Sequence, residues 1–207
     1  MKKIDFYFDF LSPYSYLAWT WVRSAPYEFH FYPISMATVI TSYETKGPAQ
    51  IKPKREYLFR EILRRTKLLN IPFTTPKNLP FNSLYALRLS LQSVAKEKQK
   101  EIIDAIYMAG WTQGLDIGND DVLKEVLKEK NLYSEELIAR MEDKAARIEL
   151  KANNSKALEV GVFGVPTFVF DNELFWGHDS ISHLELTLIN QDPMDKDKYQ
   201  EFLKLFE

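Results

Sequence analysis

The chain of 207 residues contains no cysteine and only three histidines, His30, His178 and His183. The missing thiols exclude structural disulfides, zinc–thiolate sites, iron–sulfur clusters and any cysteine nucleophile. So few histidines make a histidine-based metal site or a Ser-His-Asp triad hard to assemble, and no metal is expected. Thiol chemistry here has to use a thiol that arrives with a ligand. An excess of either charge is missing too: 27 Lys and Arg stand against 29 Asp and Glu, a formal net charge of -2. Nothing in this balance points to nucleic acid, an anionic membrane surface or a basic partner. No run approaches the ~18–20 apolar residues that a membrane-spanning helix needs. The opening MKKIDFYFDF alternates in polarity and holds no signal-peptide core, so the cytoplasm is the expected address. With 45% hydrophobic residues the chain can bury a sizeable core, as one domain or as one domain carrying a large insertion.

What is present begins with a strand. Residues 4–10, Ile-Asp-Phe-Tyr-Phe-Asp-Phe, are rich in aromatics and suit the interior of a sheet. Ser12 at N-cap and Pro13 at N1 then open a helix that runs through Tyr16, Leu17, Ala18 and Trp21 to about Ser24. Phe29, Phe31 and Ile34 mark a second strand, which makes a βαβ unit with parallel strands. From 36 to 150 the pattern is helical. Leu58, Ile62, Leu63 and Leu69 predict one apolar face, and Leu84, Leu87, Leu91, Val94 and Ala95 another. Asn119 or Asp120 caps the helix of Val122, Leu123, Val126 and Leu127, and Ser134 caps the next. The charged stretch from Asp143 to Glu159 reads as a mostly solvated helix with Gly161 at C′.

Strand pattern returns near the end. Thr167 to Phe170, an Asp171-Asn172 turn and Glu173 to Trp176 form a hairpin, followed by a helix from Gly177 to Ile189 capped by Asp179 or Ser180. This order is that of an α/β thioredoxin fold with an all-helical domain inserted after the second strand. Residues 1–35 plus 151–207 would form the thioredoxin-like domain and 36–150 the insertion.

Three features carry chemistry. Ser12-Pro13-Tyr14-Ser15 stands where a thioredoxin fold holds its redox Cys-x-x-Cys, so dithiol exchange is impossible. A hydroxyl at a helix N-terminus still donates to an anion that the helix dipole favours. A free thiol has a pKa near ~8.5, and lowering it by about two units takes roughly 2.7 kcal/mol. A charge-assisted hydrogen bond supplies about 1.5–3 kcal/mol and the dipole about 0.3–1 more. The second feature is Val165-Pro166 before a central strand, the place of a cis-proline in thioredoxin folds, where the preceding residue offers its backbone to an extended peptide. The third is Trp176-Gly177-His178-Asp179-Ser180. Backbone amides and Ser180 suit the carboxylate of a γ-glutamyl group, Asp179 suits its ammonium, and His178 belongs to the rim. Each feature also has a plain structural reading: N-cap, strand-initiating proline, helix cap.

Together Phe6 to Ala18, Pro80-Phe81-Asn82, Gly161 to Phe170 and Glu173 to Asp179 make the chain resemble the 2-hydroxychromene-2-carboxylate isomerase family, relatives of kappa-class glutathione transferases and of DsbA-type oxidoreductases. The resemblance implies glutathione as cofactor, activated at its sulfur by Ser12, paired along its backbone by Val165 beside Pro166, and lined at its γ-glutamyl end by Trp176, Gly177, His178 and Asp179, with Ser180 following from the helix-start reading above. It implies a small aromatic or conjugated carbonyl substrate to which the thiolate adds, allowing rotation about a former double bond before elimination returns the thiol. It also implies a homodimer. Asn82 is the expected polar group on the substrate side, and Tyr14 and Trp111 are either an aromatic wall or core. Many relatives carry Asn after the Gly near position 47, where this chain reads Lys46-Gly47-Pro48-Ala49, which leaves Lys46 or Lys52 as the substitute. Relatives often carry Arg where this chain has Ser180. The alternatives are a kappa-like transferase or peroxidase using the same Ser12, and a non-catalytic thioredoxin-like binding protein.

Overall fold

The computed structural model describes residues 3–206. Its centre is a four-stranded sheet in the order β2-β1-β3-β4, with β1 spanning Ile4–Phe8, β2 Phe29–Pro33, β3 Thr167–Phe170 and β4 Glu173–Trp176. β1 runs parallel to β2 and antiparallel to β3, placing Phe6 opposite both Phe31 and Phe168. Alternation then sends Ile4, Phe6 and Phe8 to one face, where all three are fully buried. The Phe6 ring lies 4.9 Å from Phe168 and 5.2 Å from Phe8 in stacked pairs. Helix α1 (Pro13–Val22) covers this face, and its Trp19 stacks on Phe6 and meets Phe31 edge-on at 5.6 Å. The strand was expected to reach residue 10. It ends at Phe8 because the Asp9 carboxylate accepts from the Leu11 amide and turns the chain.

The intervening segment folds as α2 (Met36–Ser42), α3 (Lys52–Leu68), α4 (Leu84–Leu89), α5 (Gln92–Ala95), α6 (Gln99–Tyr107), α7 (Asp120–Glu129), α8 (Glu135–Glu142) and α9 (Lys144–Glu159), with a π-helical turn at Met108–Thr112. Asn119 caps α7 and Ser134 caps α8 through their side-chain oxygens, as the sequence indicated. The apolar face expected on α3 is narrower than expected. Ile62 and Thr66 are buried, one turn apart, while Leu63 is 58% and Leu69 50% exposed. A helix that docks along one such stripe leaves the residue after Ile62 on its outer side.

Helix α9 is continuous across the expected boundary at 150/151. Its buried stripe is Ala146, Leu150, Asn154 and Ala157, and Asn154 Oδ1 accepts from the Ser35 amide at 2.8 Å. The helix closes at Gly161, whose φ of +84° opens a left-handed exit, and the Val162 amide returns to the Ala157 carbonyl at 2.8 Å. The inserted helices and the sheet share one core, in which Tyr107 packs 4.7 Å from Phe10 and 5.8 Å from Trp19.

The hairpin turn has Asp171 at φ 52° and Asn172 at φ 65°, the pair of left-handed residues a type I′ turn requires. After β4 a 3-10 turn (His178–Ser180) leads into α10 (Ile181–Leu188). The expected cap by Asp179 or Ser180 is not formed at α10, because the 3-10 turn runs straight into the helix and the Ser180 hydroxyl donates to Gly177 O at 2.8 Å. A further helix, α11 (Lys196–Leu203), starts at Asp195 and has no buried residue. The sequence reading did not extend to it. Among the described residues no helix is long and apolar enough to cross a membrane.

Because Phe6 joins three aromatic contacts at the centre of the sheet, Phe6→Ala should cost about 3–5 kcal/mol. Urea denaturation of the two proteins measures this; a loss below about 1 kcal/mol would show that the sheet centre is not the main packing site.

Candidate active site

The site is built on Asp9. This residue is 2% exposed, and its two carboxylate oxygens accept from the Leu11 amide at 3.0 Å and the Met36 amide at 2.9 Å. Its carbonyl accepts from the Ser12 amide at 3.1 Å. One side chain therefore joins the loop that carries Ser12 to the first residue of the insertion. Burial pushes the Asp9 carboxyl above its ordinary value, and the hydrogen bonds from Leu11 and Met36 oppose that shift. Burial and then the Asp9 charge push the Tyr107 hydroxyl well above the usual tyrosine value.

Ser12 sits at the N-cap of α1 in extended conformation, and its Oγ accepts from the Ser15 amide at 3.1 Å. The same hydroxyl points its proton at the Val165 carbonyl, at a long 3.4 Å. A proton in so weak a bond is free to move to a stronger acceptor. The Val165-Pro166 peptide is cis, and the Pro166 carbonyl accepts from the Gly177 amide at 2.9 Å. Ser12, Val165, Pro166 and Gly177 are thus brought together from three distant parts of the chain.

Gly177 has φ +92°, and a Cβ there would stand 2.5 Å from Asp179 Oδ1, so glycine is required to present the following turn. That turn faces α1 and α3. Arg65 of α3 donates from Nε to Glu61 Oε1 at 2.8 Å and brings Nη2 to 3.9 Å from Asp179 Oδ2. His178 is lowered from its usual value by burial first and by the Arg65 charge second, and its Nδ1 is buried without a hydrogen-bond partner among the described residues. Tyr14 belongs to the same neighbourhood: burial raises its hydroxyl, with Arg65, Glu61, Tyr57 and Asp179 acting on it electrostatically.

Other expected residues fall elsewhere. Trp111 is fully buried, donates to Phe10 O at 2.9 Å and stacks on Tyr16 and Phe73, so it is core and not an aromatic wall. The π-helical turn that carries it faces the interior. Trp176 is 54% exposed and packs edge-on against Phe163 at 4.9 Å, bracing the loop before Pro166 from outside. Asn82 is exposed and its Oδ1 accepts from the Leu84 amide at 3.1 Å, opening α4. Ser180 spends its hydroxyl proton on its own turn, so the expected donation to a carboxylate is not available from it as the turn stands. Lys46 and Lys52 are exposed, and the Gly47 amide is taken by Gln50 Oε1 at 2.9 Å. The sequence reading missed Arg65 and Glu61. The signal it had was an i,i+4 Glu–Arg pair on α3, which also describes any solvated helix face. A cleft of about 690 Å3 lined by Trp19, Arg23, Asp104 and Met108 among others opens on the far end of α1, and none of its residues belongs to this site.

The profile of the DSBA-like thioredoxin domain matches residues 3–188. The chain belongs to that family. Within it, the chain is 26% identical over 195 residues to a 2-hydroxychromene-2-carboxylate isomerase of Sphingobium xenophagum, covering 91% of this chain and 99% of that relative. It is 24% identical over 209 residues to glutathione S-transferase kappa 1 of Caenorhabditis elegans, covering 92% of each. A solved structure of 2-hydroxychromene-2-carboxylate isomerase superposes with a TM-score of 0.81 at 26% identity, covering 91% of this chain and 95% of that one. The thioredoxin fold with its interposed helices is therefore the family fold, carried here without a cysteine.

The buried carboxyl gives a pH test. Between the usual aspartate value of 3.8 and its raised folded value, Asp9 keeps in the folded chain a proton that the unfolded chain has lost, so its contribution to stability falls as pH rises. Asp9→Asn has no such slope. The unfolding free energy of the wild type relative to this variant should be greatest in acid and shrink toward neutrality, as measured by denaturant titration at several pH values. A difference independent of pH would contradict the raised value.

Proposed function

We propose that this chain is a glutathione-dependent isomerase of the 2-hydroxychromene-2-carboxylate type, with Ser12 activating the thiol of bound glutathione. The observation that carries the reading is the Ser12 hydroxyl, fixed at the start of α1 and held to the Val165 carbonyl by a long, weak bond of 3.4 Å. The surrounding residues fit the tripeptide. The weakly used proton suits a sulfur anion, the backbone of Val165 beside Pro166 suits an extended peptide, and the charged side chains Glu61, Arg65 and Asp179 suit a zwitterionic end. The buried, unpartnered Nδ1 of His178 adds a polar group waiting for a partner.

When bound, glutathione supplies the thiolate nucleophile that a cysteine-free chain lacks. Ser12 keeps its acceptor side on the Ser15 amide, which holds Oγ in place and leaves the proton to turn from Val165 to the sulfur. The N-terminal end of α1 adds its partial positive charge at the same point. One charge-assisted hydrogen bond and the helix end together reach the roughly 2.7 kcal/mol that ionising a thiol near neutral pH requires. His178, lowered by burial and by Arg65, stays neutral at neutral pH and does not add a cation next to Arg65. Asp9 acts through the loop: by holding the Leu11 amide it sets where Ser12 stands. A kappa-type transferase would use the same Ser12, and the similarity to the Caenorhabditis elegans transferase favours it as the second reading.

Calorimetric titration with reduced glutathione, beside thiolate absorbance across pH, tests the proposal. The wild type should bind and ionise the thiol near neutrality, and glutathione at ~100 times Kd should stabilise the fold by about 2.7 kcal/mol. Ser12→Ala should still bind while its bound thiol titrates about two units higher, and it should lose about 1 kcal/mol of stability with the cap. No binding to the wild type at millimolar glutathione would overturn the reading. Recovery of unchanged glutathione after turnover distinguishes the isomerase from a transferase, which consumes it in a conjugate.

A further inference from the structure

Helix α3 presents a row of basic residues, and one of them differs from the rest. Lys52, Lys54, Arg55, Arg60, Arg64 and Lys67 are exposed, whereas Arg65 is partly buried, with 30% of its side chain open to solvent. It is turned toward the site by Glu61, one helical turn earlier, whose carboxylate takes the Nε proton at 2.8 Å. The other end of the guanidinium stands 3.9 Å from Asp179, too far for a hydrogen bond. Among the described residues the Arg65 side chain therefore makes one hydrogen bond, to Glu61, and an edge of its donor fork is uncommitted. Glu61, Arg65 and Asp179 form an alternating row of negative, positive and negative charge between α3 and the turn after β4. Beside that row lies the buried Nδ1 of His178, which has no partner among the described residues.

An amino-acid head carries a carboxylate and an ammonium on the same carbon, and this row matches it in both signs. The turn alone does not. The Ser180 hydroxyl closes back on Gly177 and offers no donor to a carboxylate. Building on the glutathione reading above, we propose that Arg65 of the inserted segment binds the α-carboxylate of the γ-glutamyl end while Asp179 and Glu61 receive its ammonium. A planar guanidinium suits a carboxylate better than the hydroxyl expected from sequence, because it offers two parallel donors and a full charge. The specificity for the γ-glutamyl end is then shared between the insertion and the thioredoxin unit.

The test compares glutathione with 4-aminobutyryl-cysteinylglycine, the same tripeptide without its α-carboxylate, on the wild type and on Arg65→Gln. The wild type should prefer glutathione by about 10- to 100-fold, the factor of one charge-assisted pair. Arg65→Gln should bind the two peptides alike, and bind the analogue as the wild type does. Arg65→Lys should recover part of the preference. The proton resonances of His178 should titrate at higher pH in Arg65→Gln than in the wild type, which also reports a folded variant. A wild type that does not distinguish the peptides, or an Arg65→Gln variant that keeps the preference or weakens both equally, would overturn the assignment. Failure of the wild type to bind either peptide is a different result: it removes the glutathione reading itself, and this assignment with it.

Discussion

A carboxyl buried beneath the loop between β1 and α1 ties the start of α1 to the start of α2. Placing an aspartate in a dry interior costs several kcal/mol if nothing answers it. Here two backbone amides do, Leu11 on one side at 3.0 Å and Met36 on the other at 2.9 Å. The compensation has a geometric result. It ends the first strand two residues before its aromatic pattern ends, starts α1 at Ser12, and locks the beginning of the interposed helices to the same point. A buried carboxyl with two backbone hydrogen bonds fixes the loop that carries the Ser12 hydroxyl.

The fold places three unlike devices at the candidate site. The helix end brings partial positive charge, the segment ahead of β3 brings an exposed main chain, and the turn after β4 brings Asp179 opposite Arg65. None of the three devices depends on a protein thiol, and the chain has no cysteine. Under the glutathione proposal, the charged groups Glu61, Arg65 and Asp179 stand at the end that would recognise the carrier of the thiol.

The frame was readable from local chemistry. A Ser-Pro step after an aromatic strand is a helix start wherever it occurs, since both residues act through their own backbone geometry. Asp171-Asn172 between two apolar runs is a type I′ turn for the same reason, and Gly161 ends α9 because few residues other than glycine accept its φ. Trp111 and Leu63 were not readable in this way. Whether an aromatic or aliphatic residue on a helix faces core or solvent depends on what packs against that helix. The π-helical turn at Met108–Thr112 and the narrow docking stripe of α3 decided those two cases.

By itself, then, the sequence determined the order of the elements, the caps and turns between them, the lack of any protein thiol, and the presence of Ser12 and Val165-Pro166 at the ends of elements that meet in a thioredoxin fold. Tertiary structure alone decided which charges stand together. Arg65 is 114 residues from Asp179 and belongs to a helix whose basic residues look alike in sequence. Asp9 reads as part of a strand until the Met36 amide arrives beside it. Caps and turns act over three or four residues and leave their mark locally, whereas a charge takes its role from neighbours that only the packed chain brings within a few ångströms.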